Sequence, residues 1–348
     1  MKIRISEPVL SHKAHDLIGD LLSHGSLAGG LHVEALEREF GELVGCQCAC
    51  VSSGTAGLFL AGQVLGIGAG DTVFVSGFSF VASANAFYPA RVVPIDVDPV
   101  TFNLDPEDLT RALVDYPKAK ALVMVDLYGS TRGTQRALEI ARDHGLYVIE
   151  DACQAHGAYD EMGRRVGTRA HASVFSFYAT KNVAGGEGGC VVSPDPDLIG
   201  RVKELRSHGG TDFRVPGLNF RMTEIAAGLC RTQLGELDAS NARRRQNAEI
   251  LNSHLAEFSQ VTTPELDPRT HVMHQYTVRF STPDYRDEFK VTMDSREVET
   301  RVFYPYTLAR LDWVTSRDLP VASRLSETVL SLPVHPRVDM ERLLGALR

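Results

Sequence analysis

Short apolar runs and longer amphipathic ones alternate through the first two-thirds of the chain. Runs rich in β-branched and aromatic residues fall at Ala49–Ser53, Thr72–Ser76, Arg91–Val97, Ala121–Leu127, Tyr147–Glu150, Ser173–Phe177 and Gly189–Ser193. Their length and composition predict strands. Between them, Ala56–Leu65, Gly133–His144 and Asp197–His208 carry apolar residues three and four positions apart, the spacing of helices. Repeated strand–helix–strand units predict an α/β fold with a mostly parallel central sheet flanked by helices on both faces. After a helix beginning near Thr223, charge rises through Leu237–Gln246. The last third then mixes shorter strand patterns, Gln275–Phe280 and Arg301–Phe303, with helices. We therefore expect a large domain over residues 1–235, including an N-terminal arm, and a smaller C-terminal α+β domain over 236–348. No internal repeat or low-complexity stretch interrupts this plan.

Composition narrows the class without deciding it. A chain of 348 residues can bury a large core, and 43% hydrophobic with 23% charged residues is ordinary for a soluble enzyme. The formal net charge of −8 argues against nonspecific nucleic-acid binding, and Arg243–Arg245 reads as a solvated helix face. Met1–Pro8 lacks the apolar segment of a secretory leader, and no apolar run reaches membrane-spanning length, so a cytoplasmic protein without a membrane partner is expected. Three of the six cysteines, Cys46, Cys48 and Cys50, alternate along one strand pattern and so share a face. No histidine pair with ligand spacing lies nearby. They read as small buried hydrophobes, and no metal site is expected. Cys153, Cys190 and Cys230 lack a disulfide-framework spacing, consistent with a reduced compartment.

Three segments carry the chemistry. Ser176–Gly185, running into Gly186-Glu187-Gly188-Gly189, is a short apolar strand followed by a turn bearing Lys181 and a glycine-rich return. Burial would make the lysine amine easier to deprotonate, and so a nucleophile toward carbonyl carbons; a solvated loop lysine is the plain alternative. Upstream, Tyr147–Glu150 leads into Asp151-Ala152-Cys153-Gln154, which places a carboxylate where a strand ends. Ligands collect at the carboxyl ends of strands in open α/β sheets, although an aspartate capping a following helix fits the same letters. Ala49–Ser53 followed by Gly54-Thr55-Ala56-Gly57 leaves free N–H groups at a helix start, where an anion can sit. The spacing fits neither a P-loop nor a dinucleotide fingerprint. A lysine and a carboxylate facing one pocket are what pyridoxal 5'-phosphate requires.

Together with Phe78–Asn85, Asn219–Glu224 and Val329–Pro336, these segments resemble, over nearly the whole chain, the DegT/DnrJ/EryC1/StrS family of sugar-nucleotide aminotransferases of fold type I. The resemblance implies that Lys181 forms the Schiff base with pyridoxal phosphate and that Asp151 pairs with the pyridinium. It implies that Gln154 approaches the phenolic oxygen and Phe80 stacks on the ring. Gly54, Thr55 and Ser176 would hold the phosphate. Asn219 would reach the phosphate of a neighbouring subunit, making a homodimer with shared sites. The implied reaction moves an amino group from glutamate or glutamine to a keto sugar, with keto-cyclitols and other cyclic ketones as an alternative substrate class. Dehydration disagrees with Lys181, since the relatives that dehydrate carry histidine there. A non-catalytic regulatory role would need missing site residues.

Four further positions stay open. His156 could orient Asp151, sit near substrate, or pack behind the site. Arg221 could hold an anion or brace the Asn219 turn through a salt bridge. Tyr304 could touch substrate, an interface or the core, and Phe303 stands where many of the family have histidine. Glu187 belongs to the pattern without an assigned role.

Overall fold

The computed structural model describes residues 2–25 and 27–348. In chain order the first part comprises α1 (His12–His24), α2 (Leu31–Val44), β1 (Gln47–Val51), α3 (Gly54–Val64), β2 (Thr72–Ser76), α4 (Ala82–Asn85), β3 (Arg91–Ile95), α5 (Pro106–Asp115), β4 (Ala121–Val125) and α6 (Thr134–Asp143). It continues with β5 (Tyr147–Asp151), β6 (Ala172–Ser176), β7 (Gly189–Ser193), α7 (Pro196–Leu205) and α8 (Glu224–Leu234). The seven strands form one sheet in the order β1-β7-β6-β5-β4-β2-β3. β7 alone runs antiparallel to its neighbours, so the carboxyl ends of the other six strands share one edge.

Both faces of this sheet are buried, which is why its strands read as continuous apolar runs. Alternate residues divide between the faces: Val73, Val123 and Val174 pack on the side of α3, whereas Phe74, Met124 and Phe175 pack on the opposite side. Cys48, Cys50 and Cys190 join that opposite core as small buried side chains, and Cys46 packs against it just ahead of β1. The helix starts have identifiable caps. Ser53 accepts from the Ala56 N–H ahead of α3, Thr223 from the Ala226 N–H ahead of α8, and aspartates precede proline at the starts of α5 and α7.

The remaining chain contains α9 (Leu237–Leu255), β8 (Val261–Thr262), β9 (Tyr276–Phe280), α10 (Pro283–Ser295), α11 (Pro320–Thr328), β10 (Val329–Leu332) and α12 (Met340–Leu347). Its strands make an antiparallel sheet in the order β10-β9-β8, with a core built from Leu251, Tyr276, Val278, Leu330 and Leu343. The strand expected over Arg301–Phe303 does not form. Only Arg301 makes a bridge, to Ser331, and the chain then turns through Pro305 to wall a cavity. Among the described residues, no helix is long and apolar enough to cross a membrane.

Candidate active site

The shared edge of strand ends opens into a cavity of about 840 Å³. Gly54, Thr55, Phe80, Asp151, Gln154, Ser176, Lys181 and Tyr304 all line it, although they come from widely separated stretches of sequence. The period of two along β5 explains how the acidic pair divides. Asp151 shares a face with Ile149 and points toward α3, whereas Glu150 points the other way. Buried Glu150 accepts from Gly167 N–H at 2.9 Å and Ser173 Oγ at 2.6 Å and pairs with Arg169, whose guanidinium also meets Asp126 at 2.6 Å. Two carboxylates thus share one buried cation, and desolvation holds the Asp126 carboxyl well above its ordinary range.

Asp151 is fixed from two sides. Ser83 Oγ donates to its Oδ2 at 2.6 Å, and the Cys153 N–H donates to its Oδ1 at 3.2 Å. No helix follows β5, so the capping role that the sequence allowed is not what Asp151 does. Lys181 sits on the turn after β6, its N–H donating to the Tyr178 carbonyl at 2.8 Å. Neighbouring Asn182 anchors that turn: its amide donates to Asn241 at 2.8 Å and its carbonyl meets His274 at 3.0 Å. Burial pushes the Lys181 amine below its ordinary pKa, opposed by Cys153 and Asp151 nearby. The amine makes no hydrogen bond or ion pair among the described residues.

An anion cradle lies beside this pair. Gly54 opens α3, and a side chain there would meet Cys153 Sγ at 2.8 Å and Ser176 Cβ at 3.0 Å. Gly189 is equally constrained, since a Cβ would come within 2.7 Å of the Gly54 nitrogen. With both positions bare, β6, β7 and the helix start converge. The Ser53 side chain takes the Ala56 N–H, so the Gly54 and Thr55 N–H groups stay available at the positive end of the helix.

Three expected residues lie away from the cavity wall. His156 is fully buried, its ring 5.3–6.4 Å from those of Phe40, Phe175 and Phe177, with neither nitrogen hydrogen-bonded. Burial and the nearby Lys181 charge push its pKa down to about 3. Asn219 and Arg221 are exposed, in a segment whose Phe220 carbonyl accepts from the Ser52 N–H at 2.8 Å. The salt bridge considered for Arg221 is not found among the described residues. Instead the turn is closed by the Arg221 N–H donating to Asn219 Oδ1 at 3.4 Å.

Three more cavity residues, Ser83, Cys153 and His274, carry no sequence signal that singles them out. Ser83 and Cys153 are small residues within the Phe78–Asn85 and Tyr147–Gln154 segments, and nothing in their spacing points to Asp151. His274, buried and held neutral by desolvation, lies far along the chain from Lys181. Phe303 lines the cavity with the Arg301 guanidinium 5.4 Å above its ring.

The pattern that defines the DegT/DnrJ/EryC1/StrS aminotransferases matches residues 9–344. The chain belongs to this family. It is 35% identical over 346 residues to the dTDP-3-amino-3,4,6-trideoxy-alpha-D-glucose transaminase of Streptomyces venezuelae, covering 95% of this chain and 89% of that one. It is 38% identical over 277 residues to the L-glutamine:2-deoxy-scyllo-inosose aminotransferase of Streptomyces kanamyceticus, covering 72% and 63%. The crystal structure of S. venezuelae DesV in complex with a ketimine intermediate superposes with a TM-score of 0.89 at 34% identity, covering 97% of this chain and 93% of that one. The seven-stranded, mostly parallel sheet is the fold type I architecture of these aminotransferases. The DegT/DnrJ/EryC1/StrS assignment thus agrees with the lysine and carboxylate that the fold brings to one wall.

Proposed function

We propose that this aminotransferase carries pyridoxal phosphate and moves an amino group from glutamate or glutamine to a nucleotide-linked keto sugar. The observation that carries the reading is a half-buried, unpaired Lys181 amine in one cavity with a doubly anchored Asp151 and the open N-terminus of α3. The relative acting on a dTDP-linked sugar supports the substrate class. The relative acting on 2-deoxy-scyllo-inosose supports a second reading, a nucleotide-free keto-cyclitol.

The residues present suit the cofactor. Gly54, Thr55 and Ser176 would hold its phosphate, Asp151 its ring nitrogen, Gln154 its phenolic oxygen and Phe80 a ring face. The chemistry pyridoxal phosphate supplies when bound is an electrophilic carbon for amines and a cationic ring that takes up electrons. Asp151, kept in place by Ser83 and the Cys153 N–H, holds a proton on the ring nitrogen and so preserves that cation. Lys181 first supplies the amine that anchors the cofactor. When free, that amine would be the group placed to take a proton from the donor's Cα, and burial favours its neutral form. Donor and acceptor would use the cavity in turn, because each exchanges an amino group with the same cofactor.

The same reading gives the chain a large unit over residues 1–235 and a small one over 236–348. It also makes the active assembly a homodimer in which exposed Asn219 serves the partner's phosphate cradle. The test is covalent. Borohydride reduction of the loaded protein followed by peptide mass mapping should place the adduct on Lys181, and an adduct on another lysine refutes the site. Amination products from a panel of nucleotide-linked keto sugars and keto-cyclitols separate the two substrate readings.

A further inference from the structure

Both ends of the Gln154 amide are engaged by the protein. The Tyr128 N–H donates to Oε1 at 2.8 Å, and Nε2 donates to the Tyr304 hydroxyl oxygen at 2.7 Å. A backbone N–H can only donate, so the carbonyl end must face Tyr128 and the amide orientation follows from the network itself. Nε2 has two N–H groups and uses one on Tyr304. The anchors are stiff. Tyr128 adopts a left-handed backbone at φ 59°, a conformation costly for a non-glycine residue. Tyr304 is buried, stacked on the Tyr128 ring at 5.8 Å and edge-on to Phe78 at 5.6 Å. Ring packing sets where the hydroxyl lies, so removing the oxygen alone leaves the ring in place.

We propose that Tyr304 is a positioning residue whose hydroxyl fixes the Gln154 amide so that its second N–H is presented to the phenolic oxygen of the pyridoxal ring. Burial raises the phenol's pKa, so the group remains a neutral hydroxyl across the working range and its role does not switch with pH. The inference rests on the cofactor reading above and adds to it a tie from the C-terminal part of the chain, 150 positions from Gln154. A donor at a phenolic oxygen favours negative charge on the chromophore and lowers the pH at which the bound chromophore loses its proton. Losing one neutral hydrogen bond's worth of orientation should raise that pH by about 0.5–1 unit.

The experiment titrates the visible absorption of the pyridoxal-phosphate-loaded wild type, Tyr304→Phe, Gln154→Ala and the double variant. Tyr304→Phe should move the midpoint upward by about 0.5–1 pH unit. Gln154→Ala should move it at least as far, and the double variant no farther than Gln154→Ala. An unmoved midpoint in Tyr304→Phe overturns the proposal. So does a shift that survives in full on the Gln154→Ala background, because Tyr304 would then act without Gln154. A raised KM for the keto substrate with the midpoint in place makes Tyr304 a substrate contact and also overturns it. A wild type that develops no visible band on loading refutes the cofactor reading first and this inference with it.

Discussion

His156 provides the sharpest separation between packing and chemistry. Its ring lies among Phe40, Phe175 and Phe177 with no hydrogen-bond partner, and its pKa is pushed down to about 3 by burial and the Lys181 charge. An unfolded histidine titrates near about 6.5. Between these values the unfolded chain binds a proton that the folded protein refuses, so stability is full above about 6.5 and falls as the pH drops. At pH 5 the gap is about 1.5 units, worth about 2 kcal/mol at about 1.36 kcal/mol per unit. With about 2.1 cal/mol/K of unfolding entropy per residue, 348 residues give about 0.7 kcal/mol per kelvin, hence about 3 °C. His156→Phe keeps an aromatic ring in an aromatic box and deletes the titration. Thermal unfolding of both proteins at pH 7 and pH 5 should therefore show a wild-type loss larger by about 3 °C than the variant's. Turnover of the variant should stay close to wild type. Equal losses in the two proteins would refute the argument, as would a collapse of turnover with stability intact, which would make His156 a proton carrier.

Other perturbations test other parts of the site. Asp151→Asn keeps the shape and the Ser83 contact but removes the charge, and steady-state assays should show turnover reduced by orders of magnitude. Near-normal turnover would reduce Asp151 to a structural residue. Arg169→Met strands Glu150 and Asp126 in the interior, and differential scanning calorimetry should register about 3–5 kcal/mol, or about 4–7 °C. Asp126→Asn removes the carboxylate whose second oxygen has no partner, so it should cost much less than Arg169→Met; the reverse ranking refutes the network. Mixing inactive Lys181→Ala with an inactive Asn219→Ala should restore activity after subunit exchange, because one of the two shared sites is then intact. Exchange confirmed by mass with activity at background would assign Asn219 to its own subunit.

The sequence made the catalytic edge legible because its parts are local. Strand, turn and glycine return lie in one continuous stretch around Lys181, and the acidic pair ends a strand whose apolar letters are unmistakable. All seven strands of the larger sheet lie within the runs expected for them or shifted by a residue or two, since strands buried on both faces have little freedom in composition. The misses are long-range. Ser83 meets Asp151 across 68 positions and Tyr304 meets Gln154 across 150, and no spacing rule links such pairs before the fold does. Arg301–Phe303 looks like a strand because arginine, valine and phenylalanine suit one. It lacks a partner beyond Arg301, and Pro305 cannot extend a ladder. The smaller sheet is completed instead by β10, only four residues long, and β8, only two.

The position of β7 bears on how the protein is made. β1 lies at the sheet edge and pairs with β7 alone, so its hydrogen bonds await a strand synthesised about 140 residues later, or about 7–28 s at about 5–20 residues per second. During that interval β2–β6 can already assemble and offer α3 a face to pack on, while β1 has no strand to pair with. Closing so long a loop costs little more free energy than closing a short one, so the delay is a matter of timing and not of stability. The anion cradle needs Gly54 and Gly189 side by side, and it is therefore among the last parts of the larger sheet to exist on a nascent chain. If this cradle holds the cofactor as proposed, a ribosome-bound fragment ending before Gly189 should take up no pyridoxal phosphate.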